Sequence, residues 1–289
     1  MAKFIQYMTH ASLYDGPFDA DAGWTAAGMG NIIVTENGRL IVIDGGFPND
    51  AEDFVKLLEA QTNTKTPKID YWIISHPHLD HYGAIKGISE DSELKKRITV
   101  NKLVYWFPDD FCGGNGEANS LAKENHEMLK VCERLGAEYH QPKRNEILAL
   151  DDIDLEFLYV PDDCSILNTA GGNSNFCSLI FTVKGKDKKA MVTGDAYERS
   201  MQITAWRYAN KLKCDILQMP HHALCDSYCV DFYRYTDPQV VLMPISAAGY
   251  RAMHSKLYER HEGCIANLCV ESKANIVYKA FEGTVELMI

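Results

Sequence analysis

Short apolar runs bounded by turn residues recur along the whole chain, and most have the length and β-branched character of strands. Residues 31–35 and 40–43 are two such runs, and the Asn37-Gly38 step between them favours a tight hairpin. The same pattern predicts further strands, in chain order, at residues 4–8, 69–74, 102–107, 146–148, 153–160, 176–183, 190–193, 215–219, 240–243, 266–270, 275–279 and 285–289.

Segments with apolar residues at helical spacing alternate with these strands. Residues 117–135 have this spacing and are followed by Gly136, a residue type that commonly ends helices. Asn49 or Asp50 can cap a helix that runs to about residue 60. Further helices are predicted at residues 83–88, 197–212, 230–235 and 255–261.

The order of the elements indicates the architecture. Two blocks of strands each contain interspersed helices, and no low-complexity linker or short repeat separates the blocks. We therefore expect residues 1–289 to form one domain of the α/β type, in which two sheets pack face to face with helices outside. The strands are too unevenly spaced for a barrel of eight strand–helix units.

Composition is that of a globular protein. The 289 residues are 46% hydrophobic and 24% charged, which allows a sizeable core. The net charge of −11 opposes long-range attraction to nucleic acid. The sequence has no signal-peptide pattern, no apolar run of about 18–20 residues and no CxxC pair among its nine cysteines. We expect a cytoplasmic protein with free thiols and no membrane segment.

The closest grouping of side chains that can bind a metal follows the predicted strand at residues 69–74, in the segment WIISHPHLDHYGA. Pro77 prevents a helix from running through His76 and His78, and in an extended segment these two side chains point the same way. A turn at Asp80 and His81 would direct them to a second point nearby. Histidine and carboxylate groups at this density are typical of Zn²⁺-type coordination.

Other predicted strands end in residues of the same kind. Asp195 follows Gly194, which allows a sharp turn, although an Asp at this place also serves as a helix N-cap. We expect one residue of the pair His221 and His222 to bind a metal, and the other to contact substrate or support a ligand. Asp44 is equally consistent with a turn residue and with one that orients a ligand histidine.

Together these motifs resemble those of the metallo-β-lactamase superfamily. The matching segments are IDGG at residues 43–46, HPHLDH at 76–81, TGD at 193–195 and PHH at 220–222. The spacing of Asn173, Asn175 and Ser178 ahead of TGD looks like the soluble metallohydrolase domain of bacterial competence (DNA-uptake) channel proteins. The pattern is also similar to that of phosphorylcholine esterases.

This resemblance implies a four-layer αββα sandwich and a site for two divalent metal ions. By that resemblance His76 and His78 hold the first ion, Asp195 bridges, and Asp80 and His81 hold the second ion together with His221 or His222. The expected ions are Zn²⁺, with Mn²⁺ or Fe as alternatives.

The chain departs from the superfamily pattern in two places. Hydrolases of the superfamily usually supply a third histidine to the first metal from the loop before TGD, but residues 168–175 contain none. Asn175 is then a weak ligand or a substrate contact, and we expect the first metal to bind more weakly. The usual His-His-Gly-Ser segment continues with Ala223 and Leu224 here, which alters any substrate contact at this loop.

The resemblance implies a hydrolase in which two ions share a hydroxide that attacks a substrate, most of all a phosphoester, as a phosphodiesterase does. Asp80 would orient this nucleophile, and His254 would protonate the leaving group unless it is an ordinary loop histidine. A carboxylic ester or lactone hydrolase is the alternative on the same site. A binding module with a degenerate metal site is a second hypothesis. A di-iron oxygen reductase is a third, disfavoured because those proteins resemble HxExD whereas His78 stands here.

Overall fold

The structure is a computed structural model that describes residues 1–19, 27–108, 117–162, 174–224, 227–256 and 261–289; of residues 117–120 it describes the backbone alone. Strands in these ranges form two sheets of seven strands each. This agrees with the prediction of two sheets.

The first sheet collects the strands of the N-terminal half and the last strand of the chain. They are β1 (Lys3–Gln6), β2 (Gly30–Val34), β3 (Leu40–Asp44), β4 (Lys68–Ile73), β5 (Thr99–Val104), β6 (Glu138–His140) and β14 (Val285–Met288). The order is β14-β1-β2-β3-β4-β5-β6. Neighbours from β14 to β3 pair antiparallel, and those from β3 to β6 pair parallel, so the sheet is mixed.

The second sheet is built the same way from the rest of the chain. Its strands are β7 (Ile147–Leu150), β8 (Ile153–Tyr159), β9 (Ile180–Lys184), β10 (Lys189–Val192), β11 (Ile216–Gln218), β12 (Val240–Met243) and β13 (Ile276–Lys279). The order is β13-β12-β11-β10-β9-β8-β7. Pairing is antiparallel from β7 to β10 and parallel from β10 to β13.

Helices cover the outer face of each sheet. In chain order they are α1 (Ala51–Thr62), α2 (Leu79–Glu90), α3 (Glu117–Leu135), α4 (Glu198–Tyr208), α5 (Val230–Thr236), α6 (Ala247–Met253) and α7 (Glu262–Lys273). Within the described ranges, none of them is long and apolar enough to cross a bilayer.

Three apolar clusters give the molecule its four layers. Along β3, Leu40 and Val42 pack under the helices α1 to α3, whereas Ile41 and Ile43 pack between the two sheets. A third cluster, which includes Met201 of α4, lies under the helices of the second sheet. The alternation of side chains along the strands therefore buries both faces of each sheet and confirms the αββα sandwich.

The last quarter of the chain departs from its predicted elements. The predicted strand at residues 266–270 is wrong, because this stretch lies inside α7 and its buried residues Cys264, Asn267 and Val270 recur at helical spacing. Of the helix predicted at 255–261, the described residues 255, 256 and 261 are not helical, and 257–260 lie outside the described residues. Helix α6 and strand β6 were not predicted.

Cysteine chemistry differs from the expectation at one described position. The free thiols are Cys132, Cys177, Cys214, Cys229 and Cys269. Cys264 is instead disulfide-bonded, so the expectation of free thiols is wrong there.

Candidate metal centre

The candidate residues meet where strands of both sheets end. The parallel strands β3 and β4 end at one edge of the first sheet, and the parallel strands β10 and β11 end at the facing edge of the second. The loops that follow these strands contact one another. The His221 amide donates to the Gly194 carbonyl at 3.2 Å, and a Cβ at Gly194 would lie 2.7 Å from that of Ser75. Residues far apart in sequence therefore share one site.

The sequence pattern predicted that the helix after His76 to His81 begins at residue 83. In the structure this helix begins earlier, at Leu79. His78 keeps an extended backbone as its N-cap, with φ −107° and ψ 144°, and Asp80 and His81 lie in the first turn. The Asp80 carboxylate thus lies at the positive end of the helix dipole. The loop therefore carries His76 and His78, and the first turn of the helix carries Asp80 and His81.

The metal-type side chains form two groups that share Asp195. His76, His78 and Asp195 each present a ligand atom within 4.8 Å of the others. The second group, with the same spacing, consists of Asp80, His81, Asp195 and His222. Nε2 of His81 lies 3.3 Å from Asp195 Oδ1, and Nε2 of His76 lies 3.6 Å from Oδ2. One carboxylate therefore lies between both groups, in the position of a bridging ligand.

A buried hydrogen-bond network orients the two inner histidines. His81 Nδ1–H donates to Asp44 Oδ2 at 2.9 Å, and the Ser75 hydroxyl donates to the same oxygen at 2.8 Å. His76 Nδ1–H donates to Ser75 Oγ at 3.1 Å. Each Nε2 atom is thereby left to face Asp195. Carboxylate–histidine pairs of this kind orient metal ligands in many proteins. Asp44 also turns its backbone, with φ 58°, so it lies in a turn and contacts His81 at the same time.

The structure places the adjacent histidines His221 and His222 in different surroundings. His222 Nδ1–H donates to the Pro244 carbonyl at 2.8 Å, and its Nε2 lies 3.1 Å from Asp80 Oδ2 and 3.4 Å from Asp195 Oδ2. His221 belongs to neither group; its Nε2 lies 3.8 Å from Asp195 Oδ2, and its ring packs edge-on against Tyr197. His222 is thus the member of the pair that the second group contains.

Both loops from the second sheet are bent through left-handed backbone conformations. His221, His222 and Ala223 have φ of 45°, 53° and 61°, and such conformations cost non-glycine residues about 1–2 kcal/mol each. Gly194 has φ 51°, as its predicted role in a sharp turn requires. Buried Gln218 holds this turn, because its Oε1 accepts from the amides of Thr193 and Gly194 at 2.9 and 3.0 Å.

Several polar atoms of the site are buried without a hydrogen bond. Among the described residues, His76 Nε2, His81 Nε2 and Asp195 Oδ1 have no hydrogen-bond partner. An unpaired buried polar atom costs about 1–3 kcal/mol, so three that converge are best explained by an occupant that all of them bind. Imidazole nitrogens and carboxylates together suit a divalent cation of the Zn²⁺ type.

The charges of the site also fit a cation. Burial opposes ionisation of Asp195, yet His222 and His81 hold the pKa of its carboxyl group well below the usual range. Against the same burial, Asp195 and Asp80 raise the pKa of His222 to about 10. Protons on His81 and His222, the two histidines of the site whose pKa is raised, therefore balance the carboxylates. A divalent ion would take their place.

The first group contains two histidines, and its third side is formed by the segment before β9. Ser174 Oγ lies 2.5 Å from His78 Nε2, and Asn175 is buried beside it in a short turn, Ser174–Cys177. The strand predicted from residue 176 begins only at Ile180, after this turn. Residues 168–173 of the loop without histidine lie outside the described residues.

His254 is engaged elsewhere. It follows α6, where its Nδ1–H donates to the Tyr250 carbonyl at 3.0 Å and its Nε2 lies 3.2 Å from Glu271 of α7. The structure therefore does not bring His254 into either metal-type group, and its predicted role as a proton donor stays a prediction.

Sequence reasoning assigned no supporting role to several residues that contact the candidate ligands or the loops that carry them. Ser75 and Gln218 carry no motif of their own, although each lies within three positions of a histidine motif. Ser178 Oγ accepts from the Asp195 amide at 3.1 Å, and Asn267 donates to the carbonyls of Ala223 and Leu224. Asn267 offered no signal, because its partners are far away in the sequence.

Comparison with protein families identifies a match to this site. The profile described as "Metallo-beta-lactamase superfamily" matches residues 26–229, a range that includes both metal-type groups. A protein of Caenorhabditis elegans named "Beta-lactamase-like protein 2 homolog" is 30% identical over 88 residues, which are 30% of this chain. The chain spans 28% of the length of that relative.

Solved structures are similar in fold over the whole chain. The metallo-beta-lactamase fold protein YhfI from Bacillus subtilis has a TM-score of 0.58 at 11% identity, covering 99% of this chain and 100% of its own. Zn(2+)-bound PqqB from Methylobacterium extorquens has a TM-score of 0.55 at 11% identity and covers 100% of both chains. CmlA, a diiron beta-hydroxylase from Streptomyces venezuelae, has a TM-score of 0.51 at 12% identity, covering 99% of this chain and 54% of its own.

Proposed function

Because this chain belongs to the metallo-β-lactamase superfamily, whose members are usually hydrolytic enzymes, we propose that it is a hydrolase that uses two divalent metal ions. One observation carries the proposal: the Asp195 carboxylate is shared by two groups of metal-type side chains. Two-metal hydrolases use such a shared carboxylate to hold the ions close together.

The geometry supports specific roles for the ligand residues. In the proposal His76 and His78 would hold the first ion, Asp80, His81 and His222 would hold the second, and Asp195, which belongs to both groups, would contribute to each. When bound, the two ions supply a hydroxide nucleophile at neutral pH and offset the negative charge that develops on the substrate. The chain itself fixes the ligands: Asp44 orients His81, and the Pro244 carbonyl orients His222.

His221 is proposed as a substrate contact. Its side chain is 14% exposed, whereas those of His76, His81 and His222 are at most 2% exposed. It lies at the rim of the site beside Asp195, packed on Tyr197. A partly open imidazole here can donate a hydrogen bond to an anionic substrate oxygen. Asn175, which follows Ser174 in the turn beside His78, is proposed as a weak metal ligand or a substrate contact.

A small phosphoester is the proposed substrate. Support comes from the resemblance of the motifs to those of the DNA-uptake metallohydrolases and the phosphorylcholine esterases. The net charge of −11 favours a small phosphoester over a nucleic acid, whose backbone it repels. A carboxylic ester or lactone is the alternative, since the same metal chemistry serves both kinds of substrate.

Zn²⁺ is the proposed metal. Histidine nitrogens with carboxylate oxygens suit Zn²⁺, and one protein of similar fold is described as zinc-bound. Another is described as a diiron enzyme, so Fe and Mn²⁺ are the alternatives to be distinguished by metal analysis.

Hydrolysis of bis-p-nitrophenyl phosphate tests the proposed substrate class. We expect p-nitrophenol release that depends on added Zn²⁺ or Mn²⁺ and that stops when a chelator removes the metal. p-Nitrophenyl acetate and a simple lactone serve as comparison substrates. If those turn over and the phosphodiester does not, the phosphoester assignment is wrong and the alternative stands.

Metal uptake is expected to release protons. The pKa of His222 is raised to about 10, so this residue is protonated near neutral pH and must lose its proton to bind an ion. The apparent affinity for the second ion should therefore rise with pH, by up to about tenfold per pH unit for this one proton. Calorimetric titrations in two buffers of different ionisation enthalpy measure the protons released. Uptake of both ions without proton release would contradict the assignment of His222.

A further inference from the structure

The segment that carries His222 is held in an uncommon conformation. Three consecutive residues without glycine, His221 to Ala223, lie in the left-handed region of the backbone map. Such a turn persists only where surrounding contacts enforce it. The His221 amide is bonded to Gly194, but the carbonyls of Ala223 and Leu224 point the other way, towards the helices.

Asn267 of α7 meets these two carbonyls. Its side chain is fully buried, and Nδ2 donates to the Ala223 and Leu224 carbonyls, at 3.0 Å each. The Tyr233 hydroxyl of α5 donates to its Oδ1 at 2.7 Å. Both hydrogens of the amide are thus used and its orientation is fixed, because a flipped amide would place its oxygen against two carbonyl oxygens. A line of bonds connects α5 and α7 to the turn that carries His222.

A second buried carboxamide acts in the same way on the loop of Asp195. Gln218 presents its oxygen to the amides of Thr193 and Gly194, whereas Asn267 presents its nitrogen to two carbonyls. Gln218 thus accepts hydrogen bonds from the backbone amides of one loop, and Asn267 donates hydrogen bonds to the backbone carbonyls of the other. The outer partners of metal ligands typically change metal affinity by 10–100-fold when they are replaced.

We propose that Asn267 is a positioning residue for the second metal: through the Ala223 and Leu224 carbonyls it fixes the left-handed turn that aims His222 Nε2 at Asp80 and Asp195. The inference rests on the proposed two-metal function. It assigns a role at the metal centre to α7, a helix that carries none of the proposed metal ligands.

Replacement of Asn267 by leucine tests this role, because leucine has nearly the same shape and no donor. We expect binding of the second metal to weaken by about 10–100-fold in chelator competition. The visible absorption of the Co²⁺-loaded protein, which reports coordination geometry, should change for that ion. Asn267→Asp is the second variant, since it keeps the size and the bond from Tyr233 but replaces the two donors with a carboxylate oxygen that repels the two carbonyls.

Asn31→Leu is the matched control. Asn31 is also buried, on β2, and among the described residues neither its Oδ1 nor its Nδ2 has a hydrogen-bond partner, so its replacement should leave metal affinity and the Co²⁺ spectrum unchanged. Folded Asn267 variants that bind both ions with the wild-type affinity and spectrum would overturn the inference. A wild-type protein that takes up no Co²⁺ or Zn²⁺ would overturn the proposed function itself, and this inference with it.

Discussion

Replacement of Asp195 by asparagine is expected to abolish binding of the two-metal pair and to reduce hydrolysis by about 10³-fold or more. The carboxylate is buried and lies within reach of both groups of metal-type side chains, so its loss removes a ligand from each. Asparagine keeps the shape but not the charge that balances the ions. Metal content after dialysis and turnover of the phosphodiester give the two readouts.

Asp70→Asn is the control for this experiment. Asp70 is also buried, but it lies near the start of β4 and accepts two hydrogen bonds from Arg39, at 2.6 and 3.1 Å. Its replacement should cost stability and leave metal content unchanged. If Asp195→Asn keeps two metals and full activity, the two-metal account is wrong. If the protein has a function that survives this change, the hypothesis of a binding module with a degenerate site gains support.

Replacement of Gly194 by alanine is expected to destabilise the protein by about 2–5 kcal/mol. About 1–2 kcal/mol comes from the left-handed backbone, φ 51°, and about 1–3 kcal/mol comes from overpacking. The new methyl group would lie 2.7 Å from Ser75 Cβ, and Ser75 bonds to both Asp44 and His76. The variant should therefore also bind metal more weakly. Urea denaturation followed by circular dichroism measures the free energy of unfolding.

Gly38→Ala separates the two causes. Gly38 lies in the hairpin between β2 and β3 with φ 79°, and nothing lies within 4 Å of the position of its Cβ. We expect this variant to lose about 1–2 kcal/mol and to keep its metals. If Gly194→Ala and Gly38→Ala lower the free energy of unfolding by the same amount, overpacking of the new methyl group against Ser75 contributes nothing to the loss at Gly194.

Local signals explain what could be predicted from the sequence. The β2–β3 hairpin follows from the Asn37-Gly38 step, and α3 follows from its spacing and from Gly136, which has φ 64°. The dense motif after β4 indicated metal chemistry because its residues are adjacent in sequence. The other candidate positions, Asp195 and the pair His221 and His222, were predicted because each follows an apolar strand, which is also a local feature.

Contacts between distant segments explain what was missed. The choice of His222 over His221 depends on a backbone turn and on the Pro244 carbonyl, and neither has a sequence signature. The supporting residue Asn267 lies in a stretch whose apolar residues suit a strand as well as a helix, and the stretch was predicted to be a strand. In the structure this stretch is helical, as part of α7, and its apolar residues pack in the cluster under the helices of the second sheet.

Anomalous diffraction from crystals of the protein grown with Zn²⁺, and without chelator, tests the central claim most directly. The account predicts two metal peaks on either side of the Asp195 carboxylate, one near His76 and His78 and the other near Asp80, His81 and His222. The first peak should be the weaker one, since its group contains no third histidine. A single peak that does not contact Asp195, or no peak at all, would contradict the claim that this carboxylate bridges two metals.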